Sequence, residues 1–340
     1  MTSAHREYSD LIDSVEERVL SGGSISREEA YKLQNTPDEH VVRLAGAADR
    51  VRIHFKGYDF DACSLINARA GRCSEDCAFC AQSAHYKTDC QVYDLKPTGD
   101  FVTAARAAQE AGATRFCAVT SGGALNETDF EALIHSLHRV RSEVGIRLDA
   151  SLGFLSDERA ARLREAGVTR YNHNLETSAD FYGTICSTHT FDQRVATVKK
   201  ARKAGFSACC GGIIGMGETA RQRVDLAVTL AELGVDCVPV NILDPRPGTP
   251  LQNMKPLEPL EIIRTVSVFR LLLPKATIKL AGGREKNLRD FQGLALRAGA
   301  NGMIIGGYLT TSGRSVESDL KLIRDAGFQI ARFAGLQAAT

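Results

Sequence analysis

The chain has 340 residues, 44% of them hydrophobic and 24% charged, and its formal net charge is +1. This balance is typical of a globular protein, and the interspersed charges exclude an extended basic surface for nucleic acid or anionic lipid. The first residues are polar, and no run approaches the ~18 apolar residues of a membrane span, so we expect a cytoplasmic protein without a membrane partner.

The first sixty residues have helical patterns. Ser26 and Glu29 have the spacing of a capping box and predict a helix over 27–33. A second helix is predicted over 40–54. Residues 1–57 are therefore interpreted as an N-terminal helical extension.

From about residue 105, a helical stretch that ends at a glycine and is followed by a β-rich run recurs along the chain. The helix-ending glycines are Gly112, Gly145, Gly167, Gly205, Gly234 and Gly299. Segments 63–69 and 277–283 supply two further strands. Eight strands alternating with helices predict a parallel (β/α)8 TIM-type barrel over 58–325, followed by a C-terminal tail over 326–340. In such barrels the chemistry takes place at the carboxyl ends of the strands.

Ten cysteines need an explanation in a chain too large to be a small disulfide-stabilised domain. Cys73, Cys77 and Cys80 follow the first predicted strand with the spacing C-x3-C-x2-C. Three thiolates so close together can each bind one iron of a cubane cluster, which leaves the fourth iron open. A structural zinc site takes four protein ligands, and no fourth cysteine or histidine has zinc-finger spacing. A zinc-dependent barrel hydrolase and a cluster-storage protein are the alternative classes.

The cysteine motif with Phe79 resembles that of the radical S-adenosylmethionine (SAM) superfamily. Further segments resemble the biotin synthase family over about residues 50–325, namely CSEDCAFCAQSAHYKT, YNHNLETS, GGIIGMGET, NILDPRPGTPL and LTTSG. The resemblance implies a [4Fe–4S] cluster whose open iron binds SAM. It implies that a 5′-deoxyadenosyl radical abstracts hydrogen from dethiobiotin, and that an auxiliary iron–sulfur cluster donates the sulfur.

The resemblance also implies the substrate contacts. Asn172, Asn174 and Asn241 match family positions that bind the ureido ring of dethiobiotin. An amide suits a neutral urea because it offers both a donor and an acceptor. Thr310 and Thr311 match positions near the carboxylate tail of the substrate.

For the cofactor, the resemblance implies that Glu176 contacts the ribose of SAM and that Arg194 lies near its carboxylate, with Phe79 beside them in the cluster loop. Arg115 matches an active-site arginine next to the auxiliary cluster.

The auxiliary cluster site departs from the family pattern of three cysteines and one arginine. Cys117 and Cys209 occupy two of the cysteine positions, but Asp149 stands at the third and Lys279 at the arginine position. Carboxylate is a harder ligand than thiolate, and lysine lacks the fork of arginine. We therefore expect a cluster of different ligation, with Cys63 as the third thiol.

The alternation of side chains along a strand limits which of the other cysteines can face the barrel interior. Cys209 and Cys210 cannot both face the barrel interior, because side chains alternate along a strand. Cys237 shares the face of Asn241 but lies four residues deeper, and the alternative for Cys63 and Cys237 is a buried core role. His173 has the parity opposite to its asparagine neighbours, which favours a core or supporting position.

Related proteins leave two alternatives open. One is the insertion of sulfur into an octanoyl group, as in lipoyl synthesis, and the other is the reaction of another radical SAM enzyme of the biotin-synthase-like group. The ureido-type asparagines favour dethiobiotin over the octanoyl group. The resemblance further implies a flavodoxin or ferredoxin-type electron donor, the iron–sulfur assembly machinery as a partner, and a homodimer.

Overall fold

The computed structural model describes residues 3–310 and 313–330. Three helices open the chain: α1 (Ser3–Leu20), α2 (Arg27–Gln34) and α3 (Asp38–Lys56). Ser26 caps α2 in a capping box with Glu29, as the sequence predicts. These helices share a buried apolar cluster with residues of the later helices α9 (Ala220–Glu232) and α10 (Pro259–Leu272), so the extension is packed against the barrel.

Ten strands form one sheet system. They are β1 (Asp59–Arg69), β2 (Arg115–Thr120), β3 (Arg147–Ser151), β4 (Val168–Asn172), β5 (Ser207–Cys209), β6 (Gly212–Ile214), β7 (Cys237–Ile242), β8 (Thr277–Leu280), β9 (Gly302–Ile304) and β10 (Gln329–Ile330). The order is β10-β1-β2-β3-β4-β5-β7-β8-β9, with β6 paired to β7. Every strand pairing is parallel, and β1 also pairs with β9. Strands β1 to β9 therefore close into an eight-stranded barrel, in which β5 and β6 act as one interrupted strand, and β10 pairs with the start of β1 outside this circuit.

The remaining helices connect the strands and surround the barrel. They are α4 (Thr98–Glu110), α5 (Glu127–Glu143), α6 (Asp157–Glu165), α7 (Ala179–Tyr182), α8 (Phe191–Lys203), α11 (Arg284–Leu288), α12 (Gln292–Arg297) and α13 (Val316–Asp325), in addition to α9 and α10. Gly299 has φ +114°, a conformation that side chains rarely adopt, and it leads the chain from α12 into β9. The predicted (β/α)8 TIM-type fold with an N-terminal helical extension is confirmed.

The main core lies between the outer faces of the strands and the surrounding helices. Ala62, Ile66 and Ala68 of β1 belong to this core, whereas Cys63 and Leu65 line the barrel cavity. This alternation assigns each inward-facing position. Within the described residues no helix combines the length and apolar character needed to cross a membrane.

Candidate active site

A cavity of about 440 Å³ opens at the carboxyl ends of the barrel strands. It is lined at its mouth by the loop that follows β1 and deeper by side chains that face the barrel interior. The predicted site residues on its wall are Cys63, Cys73, Cys77, Phe79, Cys80, Cys117, Asn172, Asn174, Glu176, Arg194, Cys209, Asn241, Lys279 and Thr310. The fold thus brings residues from nine separate stretches of the chain into one chamber. Thr311 lies outside the described residues.

The loop after β1 gathers the three cysteines of the C-x3-C-x2-C motif. Backbone hydrogen bonds from Cys73 N to Gln82 O (3.0 Å) and from Cys80 N to Cys77 O (2.9 Å) fold the loop tightly. All three thiols are free of disulfide bonds. Burial raises the pKa of the Cys80 thiol to about 11, so metal binding at this thiol displaces a proton.

Glu176 and Arg194 face each other across the cavity wall. Glu176 Oε1 lies 3.7 Å from Arg194 Nη1, and both side chains are nearly buried. Burial raises the pKa of Glu176 although Arg194 opposes that shift. Arg194 also donates to Tyr182 Oη (2.6 Å) and to the carbonyl of Asn174 (3.0 Å). The guanidinium is therefore held in one orientation beside the cluster loop.

The backbone of Glu176 is unusual because its φ is +69°. A non-glycine residue in this region is uncommon and marks a position fixed by its surroundings. Its carbonyl accepts from Ile213 N (2.8 Å) and approaches Gly212 so closely that a Cβ there would lie 2.4 Å from the carbonyl oxygen. The tight contact between these two segments explains why a glycine stands at the start of β6.

The three asparagines project from neighbouring positions into the cavity. Asn172 Nδ2 lies 3.3 Å from Cys117 Sγ, and its Oδ1 is buried with no partner among the described residues. Asn174 Oδ1 accepts from Gly211 N (3.1 Å), and Asn241 Oδ1 accepts from Gly282 N (3.0 Å). These backbone contacts fix the amide orientations, and the unpaired oxygen of Asn172 is available to a ligand.

Four thiols face the interior of the barrel below the asparagines. Cys63, Cys117 and Cys209 line the cavity, and Cys237 lies behind Cys209 with its Sγ 3.4 Å from Cys209 Sγ. All four are buried. Cys210 points the other way, into the outer core, as parity predicts.

The structure shows the contacts of Asp149 and Lys279, the two residues that depart from the family pattern at the auxiliary cluster site. Asp149 Oδ1 accepts from Arg115 Nε (2.8 Å) and Nη2 (2.5 Å), and Asp149 Oδ2 lies 3.8 Å from Arg170. Lys279 Nζ lies 2.9 Å from Asp61 Oδ1. Burial lowers the pKa of Lys279, but Asp61 and the nearby thiols outweigh it and raise the pKa well above its usual range.

These side chains form a buried charged layer beside the thiols, in which each carboxylate is paired with a cation. Asp149 thus forms ion pairs with two arginines, so its carboxylate is poorly placed to replace the missing cysteine as a metal ligand. Arg115, expected beside the auxiliary cluster, faces the same interior two residues before Cys117, but its guanidinium is directed to Asp149 and to Thr169 Oγ1 (2.6 Å).

Two parity inferences need correction. Cys237 lies four residues deeper than Asn241, as expected. The strand register nevertheless places it opposite Cys209, so its depth does not separate it from the other inward-facing thiols. His173 lines the cavity together with both neighbouring asparagines. The chain leaves the strand at Asn172, so alternation no longer applies there. The His173 ring packs against Phe154, with the ring centroids 5.5 Å apart.

Sequence reasoning missed a cluster beside the cysteine loop. Cys186 Sγ lies 3.9 Å from Cys77 Sγ and 3.4 Å from His189 Nδ1, and His189 Nδ1 lies 2.6 Å from Glu75 Oε2. Cys77, Cys186 and His189 could together hold a metal ion. The C-x2-H spacing of the last two was the available signal, but nothing in the sequence places it next to Cys77.

Family comparisons agree with this geometry. Residues 67–230 match the model of the radical SAM superfamily, and residues 239–329 match that of the biotin and thiamin synthesis associated domain. The chain is a radical SAM enzyme, a class whose members use a [4Fe–4S] cluster and SAM.

Relatives that match nearly the whole chain identify the family within this class. The chain is 47% identical over 321 residues to the biotin synthase of Carboxydothermus hydrogenoformans, covering 94% of this chain and 99% of the relative. It is 50% identical over 325 residues to the biotin synthase of Desulforudis audaxviator, covering 95% and 99%. The chain belongs to the biotin synthase family.

Solved structures support the fold. Methylornithine synthase superposes with a TM-score of 0.79 at 21% identity, covering 94% of this chain and 97% of that one. An FeFe-hydrogenase maturase from Carboxydothermus hydrogenoformans gives 0.78 at 19% identity, covering 96% and 80%. At these identities the likeness extends to the barrel architecture alone.

Proposed function

We propose that this member of the biotin synthase family inserts sulfur into dethiobiotin inside the cavity described above. The observation that carries the proposal is that the cysteine loop, the Glu176–Arg194 pair, the three asparagines and the inward thiols share one chamber. When bound, the [4Fe–4S] cluster and SAM supply the radical that abstracts hydrogen, and an auxiliary iron–sulfur cluster supplies the sulfur.

Cys73, Cys77 and Cys80 are the proposed ligands of the [4Fe–4S] cluster. Their placement in one compact loop, free of disulfides and at the cavity wall, fits a cluster with one open iron. Glu176 and Arg194 are the proposed contacts for the ribose and the carboxylate of SAM. Arg194 suits an anionic group because its orientation is fixed by Tyr182 and by the carbonyl of Asn174. Phe79 contributes apolar surface at the same wall.

Asn172, Asn174 and Asn241 are the proposed partners of the ureido ring. The unpaired Oδ1 of Asn172 supports a ligand that donates an N–H, because a buried acceptor without a partner is costly. Thr310, at the cavity wall, is proposed to lie near the carboxylate tail of the substrate, together with Thr311. A radical abstraction requires no general base, so these residues position the substrate and exclude water.

The auxiliary cluster is proposed to be held by Cys117, Cys209 and Cys63, with Cys237 as a fourth thiol beside Cys209. All four thiols face one part of the interior, and Asp149 and Lys279 are engaged in ion pairs. Thiolate ligands fit an iron–sulfur cluster, and the cations of the neighbouring charged layer offset their negative charge. Arg115 is proposed to act in this layer by fixing Asp149.

The remaining proposed partners are those that the family resemblance implies. We propose a flavodoxin or ferredoxin-type protein as the electron donor, the iron–sulfur assembly machinery for both clusters, and a homodimer as the functional unit.

An anaerobic assay tests the activity. Reconstituted protein is incubated with SAM, dithionite and dethiobiotin, and biotin and 5′-deoxyadenosine are measured by mass spectrometry. We expect biotin, with one deoxyadenosine for each hydrogen removed. Cys73→Ala and Cys80→Ala should abolish both products. Deoxyadenosine without biotin would overturn the substrate assignment and direct attention to octanoyl substrates, and a protein that produces neither would overturn the whole proposal.

A further inference from the structure

A fourth thiol lies at the loop that carries the C-x3-C-x2-C motif. Cys186 follows α7, is buried, and has its Sγ 3.9 Å from Cys77 Sγ. Within residues 3–310 and 313–330, no comparable thiol contact is made by Cys73 or Cys80. The neighbourhood of the three motif cysteines is therefore asymmetric.

The two loops that carry these thiols are fastened to each other. Ala78 N donates to Ile185 O (2.8 Å), one residue from each cysteine. The Asp76 carboxylate accepts from the backbone N–H groups of Ser187 (2.9 Å) and Thr188 (3.2 Å). The separation of the sulfurs is thus set by backbone contacts, and the two thiols face each other across a fixed gap.

The sulfur–sulfur distance indicates what this pair can bind. Two thiolates on one tetrahedral metal, with metal–sulfur bonds of about 2.3 Å, lie roughly 3.8 Å apart. Thiolates on different irons of a cubane are farther apart, because the irons themselves are separated. A gap of 3.9 Å matches the spacing of two thiolates that share one iron and is too short for thiolates on two different irons of a cubane.

We propose that Cys186 is a reserve ligand of the radical SAM cluster, able to bind the iron normally held by Cys77. On binding, its thiol loses the proton, as every thiolate ligand does. Cys186 would replace Cys77 on the same iron. The iron that binds SAM would therefore stay open whether Cys77 or Cys186 is the ligand. This inference rests on the assignment of Cys73, Cys77 and Cys80 as cluster ligands.

The experiment compares Cys77→Ala, Cys77→Ala/Cys186→Ala and Cys73→Ala after anaerobic reconstitution of the full chain. The readouts are bound iron and the change that SAM produces in the electron paramagnetic resonance spectrum of the dithionite-reduced protein, which reports the open-iron cluster and not the auxiliary one. We expect Cys77→Ala to retain roughly half or more of the parent SAM-responsive signal. Removing Cys186 as well should abolish the signal, and Cys73→Ala should lack it.

Cys77→Ala/Cys90→Ala is the matched control, because Cys90 makes no thiol contact in the described structure, and it should keep the signal of Cys77→Ala. Iron retained at the auxiliary site and an unchanged circular dichroism spectrum show that a variant is folded. A Cys77→Ala protein that is folded but without signal, or a signal that survives in the Cys77/Cys186 double variant, overturns the proposal. A parent protein without a SAM-responsive signal would instead defeat the cluster assignment.

Discussion

Cys209 and Cys237 lie opposite each other on β5 and β7, and their sulfur atoms are 3.4 Å apart in the barrel interior. This distance is close to the roughly 3.8 Å between thiolates on one tetrahedral metal. Burial opposes ionisation of the Cys237 thiol, but the hydrogen bond from Cys209 lowers its pKa below the usual range, and the charges of Lys279 and Arg170 add to this shift. The pair is thus suited to bind one iron of the auxiliary cluster.

Replacing Cys237 by alanine is expected to lower the iron and sulfide content after anaerobic reconstitution by the share that belongs to the auxiliary cluster. The reason is that Cys209 alone cannot complete the coordination of that iron. Cys63→Ala should have the same effect. SAM cleavage, measured as deoxyadenosine, should continue in both variants because the loop cluster is untouched.

Cys210→Ala is the matched control for these two variants. Cys210 is equally buried but points into the outer core, so its replacement should leave the metal content at the parent level. A Cys63→Ala protein with full iron and sulfide would remove Cys63 from the ligand set, and the same result for Cys237→Ala would remove Cys237.

Asp149 is expected to contribute stability rather than metal ligation. Asp149→Ala leaves the buried guanidinium of Arg115 without its carboxylate partner and should lower the free energy of unfolding by about 3–5 kcal/mol. Asp149→Asn, which keeps an acceptor oxygen, should cost less. Urea titration followed by circular dichroism measures both.

The exposed Glu131–Arg162 pair offers a comparison, since an ion pair in solvent adds little stability. Glu131→Ala should therefore leave the urea midpoint nearly unchanged. An Asp149→Ala midpoint equal to that of the parent would contradict the assigned role, and a loss of iron without a loss of stability would indicate that Asp149 is a ligand after all.

The barrel could be predicted because its signals are local. A glycine that ends a helix and the β-rich run after it lie within a few residues of each other, and Gly112 and Gly299 have the left-handed φ that this reading requires. The sequence segments that resemble the biotin synthase family likewise contain many of the residues that line the cavity. Contacts between distant strands could not be predicted, because they depend on register. The register between β5 and β7 puts Cys209 opposite Cys237, and the registers of β3 with its neighbours β2 and β4 bring Asp149 to Arg115 and Arg170.

Asn174→Ala should weaken dethiobiotin binding about tenfold, the effect of leaving one buried hydrogen-bonding group of the ligand without its partner. Basal SAM cleavage should persist, because the backbone carbonyl at this position still holds Arg194 and Glu176 loses only one long hydrogen bond, from Asn174 Nδ2 (3.4 Å), while it keeps its ion pair with Arg194. Equilibrium binding of labelled dethiobiotin, with SAM cleavage measured in parallel, checks both expectations.

Asn253→Ala replaces an exposed asparagine that does not line the cavity, and as the control it should bind dethiobiotin like the parent. Unchanged affinity in Asn174→Ala would remove Asn174 from the substrate site.

His173 should make the folded protein sensitive to mild acid. Burial lowers the pKa of His173 well below 6.5, with Arg194 and His189 adding to the shift, so the ring stays neutral in the folded chain. The unfolded chain takes up a proton near pH 6.5, whereas the folded chain does not. Stability contributed by this group is therefore fully present above pH 6.5 and is lost as the pH falls below it, by about 1.4 kcal/mol at pH 5.5.

His173→Phe removes this proton uptake and keeps an aromatic ring against Phe154. The free energy of unfolding, measured by urea titration at pH 7.5 and at pH 5.5, should therefore fall less in the variant than in the parent. The difference between the two falls isolates His173, because every other titrating group is common to both proteins. Equal falls would mean that His173 is protonated in the folded chain. The ring would then carry a positive charge beside Arg194, which its burial and the neighbouring cations disfavour.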